Sequence, residues 1–125
     1  MVRGIRGATT ADANTREAIL AATRELLSAM IAANKIEPED VASIIFTTTP
    51  DVNGEFPAVA ARELGWRDAA MLCMHEMNVP HGLPLCIRVL IHWNTVVRAA
   101  EVKHAYLKGA IALRPDRAFD PGRSI

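Results

Sequence analysis

The fold is decided by the stretch Leu85–Trp93, which has the sequence LCIRVLIHW and is apolar almost throughout. A short apolar run with several β-branched residues is typical of a β-strand. Alternation along the strand places Arg88 on one face with Cys86, Leu90 and His92. A guanidinium in that company is costly unless it is paired or faces a polar cavity. Two interpretations stand side by side: a structural ion pair or interface contact, and an anion ligand or electrostatic stabiliser in a largely dry site.

The segments around this strand predict a mixed sheet with one long helix packed on a face. Apolar residues at three- and four-residue steps predict a surface helix over Asn14–Ala33, with a capping box formed by Asn14 and Glu17. Short runs bounded by turn residues predict strands at Val2–Ala8 and Ser43–Thr49. The other predicted elements are a helical turn at Pro38–Asp40, a short helix over Phe56–Leu64, a buried strand at Ala69–Met74, a loop over Asn78–Pro84, a helix over Ala99–Leu107 and a last strand at Ala110–Leu113.

The predicted order is β-α-β-α-β-β-α-β, in a single α+β domain that spans residues 1–116. A length of 125 residues fits one compact domain, and no repeat or internal linker divides the chain. Residues 117–125 have little apolar content. We expect them to form a mobile C-terminal tail.

The charge balance argues against some classes of partner and in favour of others. The 14 Lys and Arg residues balance the 14 Asp and Glu residues, so the formal net charge is zero. A neutral chain has no general attraction for polyanions, so neither nucleic acid nor an anionic membrane surface is an expected partner. Eleven of the 14 cations are arginines, the residue suited to bidentate binding of carboxylates and phosphates. With Arg6 and Arg88 on strands, this excess predicts a small polycarboxylate or phosphate ligand.

The cysteine content and the hydropathy of the chain predict its compartment. Two cysteines, Cys73 and Cys86, are too few to form a disulfide framework. No apolar run approaches the ~18 residues of a membrane span, and no leader follows the first residues. We therefore expect a soluble, unprocessed protein of the cytoplasm.

Cys73, His75 and Glu76 form a dense polar group at the end of the predicted third strand. In a purely structural role, Cys73 is a small core residue and Glu76 is solvated. A zinc site made of Cys73, His75, His81 and Cys86 has a spacing that matches no standard pattern. A thiol nucleophile at Cys73 with His75 as its base lacks any further cysteine-hydrolase motif. Hydrogen bonding of a small polar ligand by Cys73 and Glu76 is the remaining alternative, and the residues alone leave the choice open.

Four motifs follow one another along nearly the whole chain. They are RGIRGATT at residues 3–10, CMHEM at 73–77, CIRVL at 86–90, and HAYL at 104–107 followed by LRPD at 113–116. Together they resemble the small monofunctional chorismate mutases of the trimeric, β-rich class (the AroH class). The resemblance implies a mixed-sheet α+β subunit, three of which form a pseudo-α/β-barrel homotrimer with active sites between neighbours. It also implies the Claisen rearrangement of chorismate to prephenate, in phenylalanine and tyrosine biosynthesis, with no metal, nucleophile or cofactor.

The resemblance further implies a role for each matched position. Arg88 places a fixed cation at the breaking ether bond and reaches a substrate carboxylate, while Arg6 and Tyr106 bind a carboxylate. Glu76 accepts a hydrogen bond from the ring hydroxyl, with help from the backbone or thiol of Cys73. The implied wall positions are Phe56, Ala58, Met71, Leu72 and Leu113, and the implied peripheral arginines are Arg62 and Arg114.

One departure from the family pattern, one geometric condition and two other function classes qualify this interpretation. The family often has a lysine where this chain has Val59, so a supporting charge at the cleft rim is missing. Cys73 and Glu76 are an odd number of residues apart, so both line one site only if the strand ends or bulges between them. A trimeric imine or enamine deaminase also holds a carboxylate with an arginine, although the motifs argue against it. A non-catalytic trimeric sensor of a carboxylated aromatic metabolite is the third class.

Overall fold

The structure is a computed structural model that describes residues 1–113. Its strands are β1 (Val2–Thr10), β2 (Val41–Thr48), β3 (Ala70–His75), β4 (Cys86–Asn94) and β5 (Ala105–Tyr106). Its helices are α1 (Arg16–Asn34) and α2 (Ala58–Glu63), with short 3-10 helices at Pro38–Asp40, Ala99–Glu101 and Lys108–Leu113. The predicted α+β class, with a mixed sheet and one long helix, is confirmed. Within residues 1–113, no helix combines the length and apolar character needed to cross a membrane.

The five strands form one sheet in the order β3-β2-β4-β1-β5. The central strand, β4, pairs antiparallel with both β1 and β2. The edge strands β3 and β5 run parallel to β2 and β1. This position explains the apolar character of the stretch Leu85–Trp93, because the side chains of Ile87, Val89 and Ile91 are buried in the core.

Helix α1 covers one face of the sheet. Leu26, Leu27 and Met30 are fully buried in the main core, together with Ile5 and Phe46 of the sheet. The contact with β1 is close at Gly7, where a Cβ would lie 2.4 Å from Met30 Sδ. A larger residue at Gly7 would force the end of the Met30 side chain to move.

The N-terminus of α1 differs from the predicted capping box. The helix is capped by Thr15, whose hydroxyl accepts a hydrogen bond from Ala18 N at 3.2 Å. The side chain of Asn14 is used elsewhere, because its Oδ1 accepts hydrogen bonds from Asn53 N and Gly54 N, each at 2.9 Å. The box of Asn14 and Glu17 was therefore wrong, and Asn14 instead fastens a loop to the start of the helix.

The opposite face of the sheet, which we call the open face, is covered in part by Lys108–Leu113, and Leu83 packs beside that segment. There Ala110 packs against Ala8 and Tyr106. Elsewhere the open face exposes apolar side chains of β3: Leu72 is 64% exposed and Met74 is 47% exposed. The register places the following residues on this face: Arg6, Ala8, Ile45, Thr47, Leu72, Met74, Arg88, Leu90 and Tyr106.

The burial of one predicted strand and the type of two predicted elements were wrong, each because of a contact distant in sequence. The third strand, predicted as buried, lies at the edge of the sheet with its open-face side chains exposed. The helix predicted over Ala99–Leu107 ends at Glu101, because the following residues pair with β1 as β5. The strand predicted at Ala110–Leu113 is the end of a 3-10 helix, since β5 already occupies the edge beside β1. The predicted tail, 117–125, lies outside the described residues.

Candidate active site

The register of the sheet brings the predicted anion-binding residues of the open face together. Thr47 of β2 pairs with Arg88 of β4, Arg88 pairs with Ala8 of β1, and Ala8 pairs with Tyr106 of β5. Paired residues on neighbouring strands share a face, so these side chains form one row across four strands. Arg6 lies two residues before Ala8 and therefore faces the same side.

These residues line a cleft of about 320 Å³, which we call the arginine cleft. Its remaining lining residues are Gly7, Ile45, Val89, Leu90 and Leu113. The volume lies at the lower end of the ~300–1,000 Å³ that small-molecule pockets occupy. Two arginines and a tyrosine over apolar walls form a surface suited to a small anion.

Arg88 is paired with a carboxylate in the arginine cleft. Its Nε lies 3.5 Å from Glu76 Oε1, and the two side chains are 47% and 24% exposed. The Thr47 hydroxyl donates a hydrogen bond to the same Glu76 oxygen. An ion pair this exposed stabilises the chain by ~1 kcal/mol or less, so Arg88 is available to an anionic ligand. The largely dry site expected around Arg88 is not present in a single chain, because nearly half of the side chain meets solvent.

The segment around β5 is fastened beside β1 by hydrogen bonds. Arg6 N donates to His104 Nδ1 at 2.9 Å, and Leu107 N donates to Ala8 O at 2.9 Å. Tyr106 itself is buried, in contact with the Lys108–Leu113 segment. Arg6 and Tyr106 are therefore held in a fixed relation at one side of the arginine cleft.

Several other predicted site residues lie in a second concave surface, which we call the Phe56 groove. Its volume is about 460 Å³, and Phe56, at its rim, is 65% exposed. Cys73 lines this groove from the face of the sheet that α1 covers, where it packs against the main core. The remaining lining residues are Thr48, Val52, Asn53, Gly54, Glu55, Pro57, Met74 and His75.

The chemistry of the Phe56 groove argues against the two alternatives that used Cys73. Burial raises the pKa of the Cys73 thiol, while the Ala58 backbone and the Arg62 charge act in the opposite direction. A raised pKa keeps the thiol protonated at neutral pH, whereas a nucleophile needs the thiolate. His75 is engaged with Thr48, with 3.1 Å between His75 Nδ1 and the Thr48 hydroxyl. No group of three or more metal-ligating side chains lies together within residues 1–113, so the proposed zinc set with His81 is not assembled.

Cys73 and Glu76 lie on opposite faces of the sheet in one chain. β3 runs in unbroken register with β2 as far as His75, and Glu76 N still donates to Thr48 O at 2.7 Å. The Glu76 carboxylate therefore reaches the open face, where it meets Arg88, whereas Cys73 faces the Phe56 groove. β3 does end between the two residues, at His75, but Glu76 keeps the alternation of the strand, so a single chain does not bring Cys73 and Glu76 to one site.

The predicted site residues thus fall into two groups. The arginine cleft and its ion pair bring together Arg6, Glu76, Arg88, Tyr106 and Leu113. The Phe56 groove, β3 and α2 hold Phe56, Ala58, Arg62, Met71 and Cys73. Leu72 lines neither surface and is exposed on the open face, and Arg114 lies outside the described residues. Thr47 was missed by sequence reasoning, because its position beside Arg88 depends on the pairing of β2 with β4, which no local pattern encodes.

Comparison with known proteins identifies the family. Residues 2–117 match the family model described as Chorismate mutase type I. The chain is 46% identical over 117 residues to a Bacillus subtilis (strain 168) protein named chorismate mutase AroH, with 93% of this chain and 92% of the relative covered. It is 50% identical over 117 residues to a protein of the same name from Thermus thermophilus, covering 93% of this chain and 96% of the relative.

A solved structure agrees with this assignment. The structure of a chorismate mutase from Clostridium thermocellum superposes with a TM-score of 0.87 at 47% sequence identity. The match covers 88% of this chain and 98% of the other. The sequence and the fold thus agree over nearly the whole length, and the chain belongs to the chorismate mutase type I family.

Proposed function

We propose that this protein is a chorismate mutase that rearranges chorismate to prephenate, and that it works as a homotrimer with an active site between each pair of neighbours. The observation that carries the proposal is the row of Arg88, Tyr106 and, beside it, Arg6 on the open face, with Glu76 paired to Arg88. The family membership and the close match to a solved relative support it.

The reaction needs positioning and electrostatic stabilisation more than it needs proton transfer. Within one molecule of chorismate, the carbon–oxygen bond of the ether breaks and a carbon–carbon bond forms. Bond breaking runs ahead of bond making, so negative charge builds on the ether oxygen while both carboxylates stay ionised. A fixed guanidinium at that oxygen stabilises the transition state more than the ground state. We assign this role to Arg88, and we assign the binding of a carboxylate to Arg6 with Tyr106.

Glu76 is placed to act as a hydrogen-bond acceptor for the substrate. Its Oε1 contacts both Arg88 and Thr47, and no described residue bonds its Oε2. We infer that Oε2 accepts the hydrogen bond of the ring hydroxyl. This contact orients the ring so that the dianion is held in the compact, chair-like conformer that reacts.

The division of the site between two surfaces supports the trimer. The arginine cleft has the cations, and the Phe56 groove has Phe56, Cys73 and the nearby Arg62. A neighbouring subunit that brings its Phe56 groove over the arginine cleft would complete the site and remove water from around Arg88. The same contact would cover the exposed open-face side chains Leu72 and Met74, which form an apolar edge that monomers rarely leave exposed.

The remaining assignments are more peripheral. Arg62, on α2, and Arg114 would attract the dianion to the rim, where Val59 offers no charge. Ala58, Met71, Leu72 and Leu113 would form or support the apolar walls. We place the enzyme in the cytoplasm, a location that rests on its two free cysteines, which are typical of a reducing compartment.

One experiment tests the activity and separates the alternatives. Purified protein is mixed with chorismate, the chorismate absorbance is followed, and prephenate is identified in the product. Loss of chorismate with formation of prephenate supports the proposed function. Tight binding without conversion favours the metabolite sensor, and ammonia release from an imine or enamine without action on chorismate favours the deaminase. Light scattering tests the assembly, for which we expect a mass about three times 13.6 kDa.

A further inference from the structure

Thr47 lines the arginine cleft and contacts the ion pair on which the proposed site depends. It is half-buried on β2, directly paired with Arg88 of β4. Its hydroxyl donates a hydrogen bond to Glu76 Oε1, the same oxygen that lies 3.5 Å from Arg88 Nε. Thr47 and Arg88 therefore hold one carboxylate oxygen from two neighbouring strands.

The backbone alone does not fix the Glu76 carboxylate. Glu76 follows the last residue of β3, and its N–H bond to Thr48 O anchors only the main chain. A glutamate side chain has several rotatable bonds, and that of Glu76 is about a quarter exposed. The ion pair with Arg88 therefore does not by itself select one conformer of Glu76. The Thr47 hydroxyl supplies a second, directional bond to the same oxygen. β-Branching makes this donor stiff, because threonine has few accessible χ1 rotamers.

We propose that Thr47 is a positioning residue for the rearrangement. It fixes Glu76 Oε1 against Arg88, so that Oε2 is presented to the ring hydroxyl and the guanidinium is held at the ether oxygen. Thr47 acts through Glu76 and not by contact with the reacting atoms. This inference rests on the proposed function, since it concerns the same site.

The test compares three variants with the unchanged protein. Thr47→Val keeps the shape of the side chain but removes the hydroxyl, and we expect it to lower kcat/KM for chorismate about tenfold. Thr47→Ser keeps the donor, and we expect it to stay within about threefold of the unchanged protein. Thr9→Val is the matched control. Thr9 lies in the same sheet under α1, and its buried hydroxyl has no hydrogen-bond partner among the described residues, so its removal should leave kcat/KM unchanged.

A double-mutant cycle distinguishes positioning through Glu76 from a general structural effect. If Thr47 acts through Glu76, then Thr47→Val has no further effect in a Glu76→Ala background. The same cycle is measured as the dissociation constant for prephenate, by calorimetry, so that a very slow variant still gives a result. If Thr47→Val does not fold, Thr47→Ala replaces it with the same expected loss.

The possible outcomes separate this inference from the proposed function. Turnover of chorismate by the unchanged protein decides the function, whereas the ratios between variants decide the role of Thr47. Thr47→Val activity close to that of the unchanged protein would overturn the inference. So would a loss on Thr47→Val that is equally large with Glu76 present and in the Glu76→Ala background, since the hydroxyl would then act without the carboxylate.

Discussion

Arg88 is a charged residue in the middle of a strand whose other residues are mostly apolar. Its neighbours in sequence, Ile87 and Val89, are buried under α1, while Arg88 itself projects from the open face. The cost of this placement is reduced by Glu76 on one side and by solvent on the other. The residue is therefore held by the central strand of the sheet and is still accessible to a ligand, as the proposed electrostatic role requires.

Replacement of Arg88 by lysine tests whether a single positive charge at this position is sufficient for catalysis. We expect Arg88→Lys to lower kcat by ~10²–10³-fold, the usual loss when a preorganised donor is removed, because an ammonium cannot bridge the ether oxygen and a carboxylate together. Arg88→Ala should lose more. Steady-state kinetics with chorismate measures both variants. Arg24→Lys is the matched control, since Arg24 forms an exposed ion pair with Glu63 at 3.5 Å and away from the cleft. A kcat for Arg88→Lys close to that of the control contradicts the role.

At the scale of elements, Asp51 joins the end of β2 to the start of β4. Its two carboxylate oxygens accept hydrogen bonds from the Thr49 hydroxyl at 2.5 Å and from Leu85 N at 2.8 Å. Leu85 has a positive φ of 51°, which costs a residue with a Cβ some backbone strain. The carboxylate thus holds the backbone in an unfavourable conformation at the point where the loop over Asn78–Pro84 enters the central strand.

This contact predicts a pH-dependent contribution to stability. The hydrogen bond from Thr49 lowers the pKa of Asp51 below its ordinary value of 3.8. A lowered folded-state pKa means that the ionised group stabilises the fold above the unfolded pKa, and that this contribution is lost as the pH falls through the folded pKa. We expect Asp51→Asn to destabilise the protein at pH 7 and to differ less from the unchanged protein at pH 3.

Urea unfolding at both pH values measures this difference. Asp68→Asn is the control, because Asp68 is exposed and no described residue bonds its carboxylate. A gap between Asp51→Asn and the unchanged protein that stays constant from pH 7 to pH 3 would contradict the proposed contribution.

A second connection between elements holds the loop that presents Phe56. Asn14 accepts hydrogen bonds from Asn53 N and Gly54 N, and its Nδ2 donates to Asn53 Oδ1 at 2.7 Å. At Gly54 the approach is close, since a Cβ would lie 3.2 Å from Asn14 O. We expect Asn14→Ala to increase hydrogen exchange about tenfold at the two loop amides, because both lose their acceptor.

The conservative variant Asn14→Asp provides the control for this prediction. Aspartate keeps the oxygen that accepts both bonds, so the amides of Asn53 and Gly54 should remain protected. Exchange is followed by NMR or mass spectrometry. Rates at these amides that do not change in Asn14→Ala would show that the loop is held without Asn14.

The elements that the sequence predicts best are those whose signal is local. The periodicity of α1 and the apolar run of β4 depend on neighbouring residues, and both were confirmed. β3 and β5 depend on which strand lies beside them, and local patterns do not show this. The burial of β3 and the element type of β5 were therefore predicted wrongly. In the candidate site, Arg88 was identified from its apolar neighbours on the strand. The contacts of Glu76 and Thr47 with Arg88 depend on the register of three strands, which local sequence does not encode.

At the scale of the whole molecule, zero net charge coexists with a local concentration of arginine. Arg6 and Arg88 line the same cleft, and the anion-binding role proposed for them would account for the incomplete neutralisation of their charge by the chain itself. Among the carboxylates of the described residues, only that of Glu76 forms an ion pair with Arg88. The chain is neutral in total, which suits an enzyme that binds a small dianion and not a polyanion.

The division of the site into two surfaces leads to the strongest test of the assembly. We expect Arg88→Ala to inactivate the arginine cleft of its own subunit but to leave the Phe56 groove intact, and we expect Phe56→Asp to do the reverse. In the proposed cyclic trimer, each active site would take its cleft from one subunit and its groove from the next. We therefore expect each variant alone to be inactive, and co-expression of the two to restore turnover.

The fraction of activity that co-expression restores follows from the random mixing of the two kinds of subunit. With equal, random incorporation, about one interface in four joins an intact cleft to an intact groove, so activity should return to about a quarter of that of the unchanged protein. Co-expression of Arg88→Ala with Arg6→Ala is the matched control. Both changes lie in the same cleft, and no arrangement of subunits repairs it. Because Cys73 and Glu76 face opposite sides of one sheet, a site that uses both residues would draw them from two subunits, and restoration is the expected outcome. A mixture as inactive as the control would place the whole site within one chain.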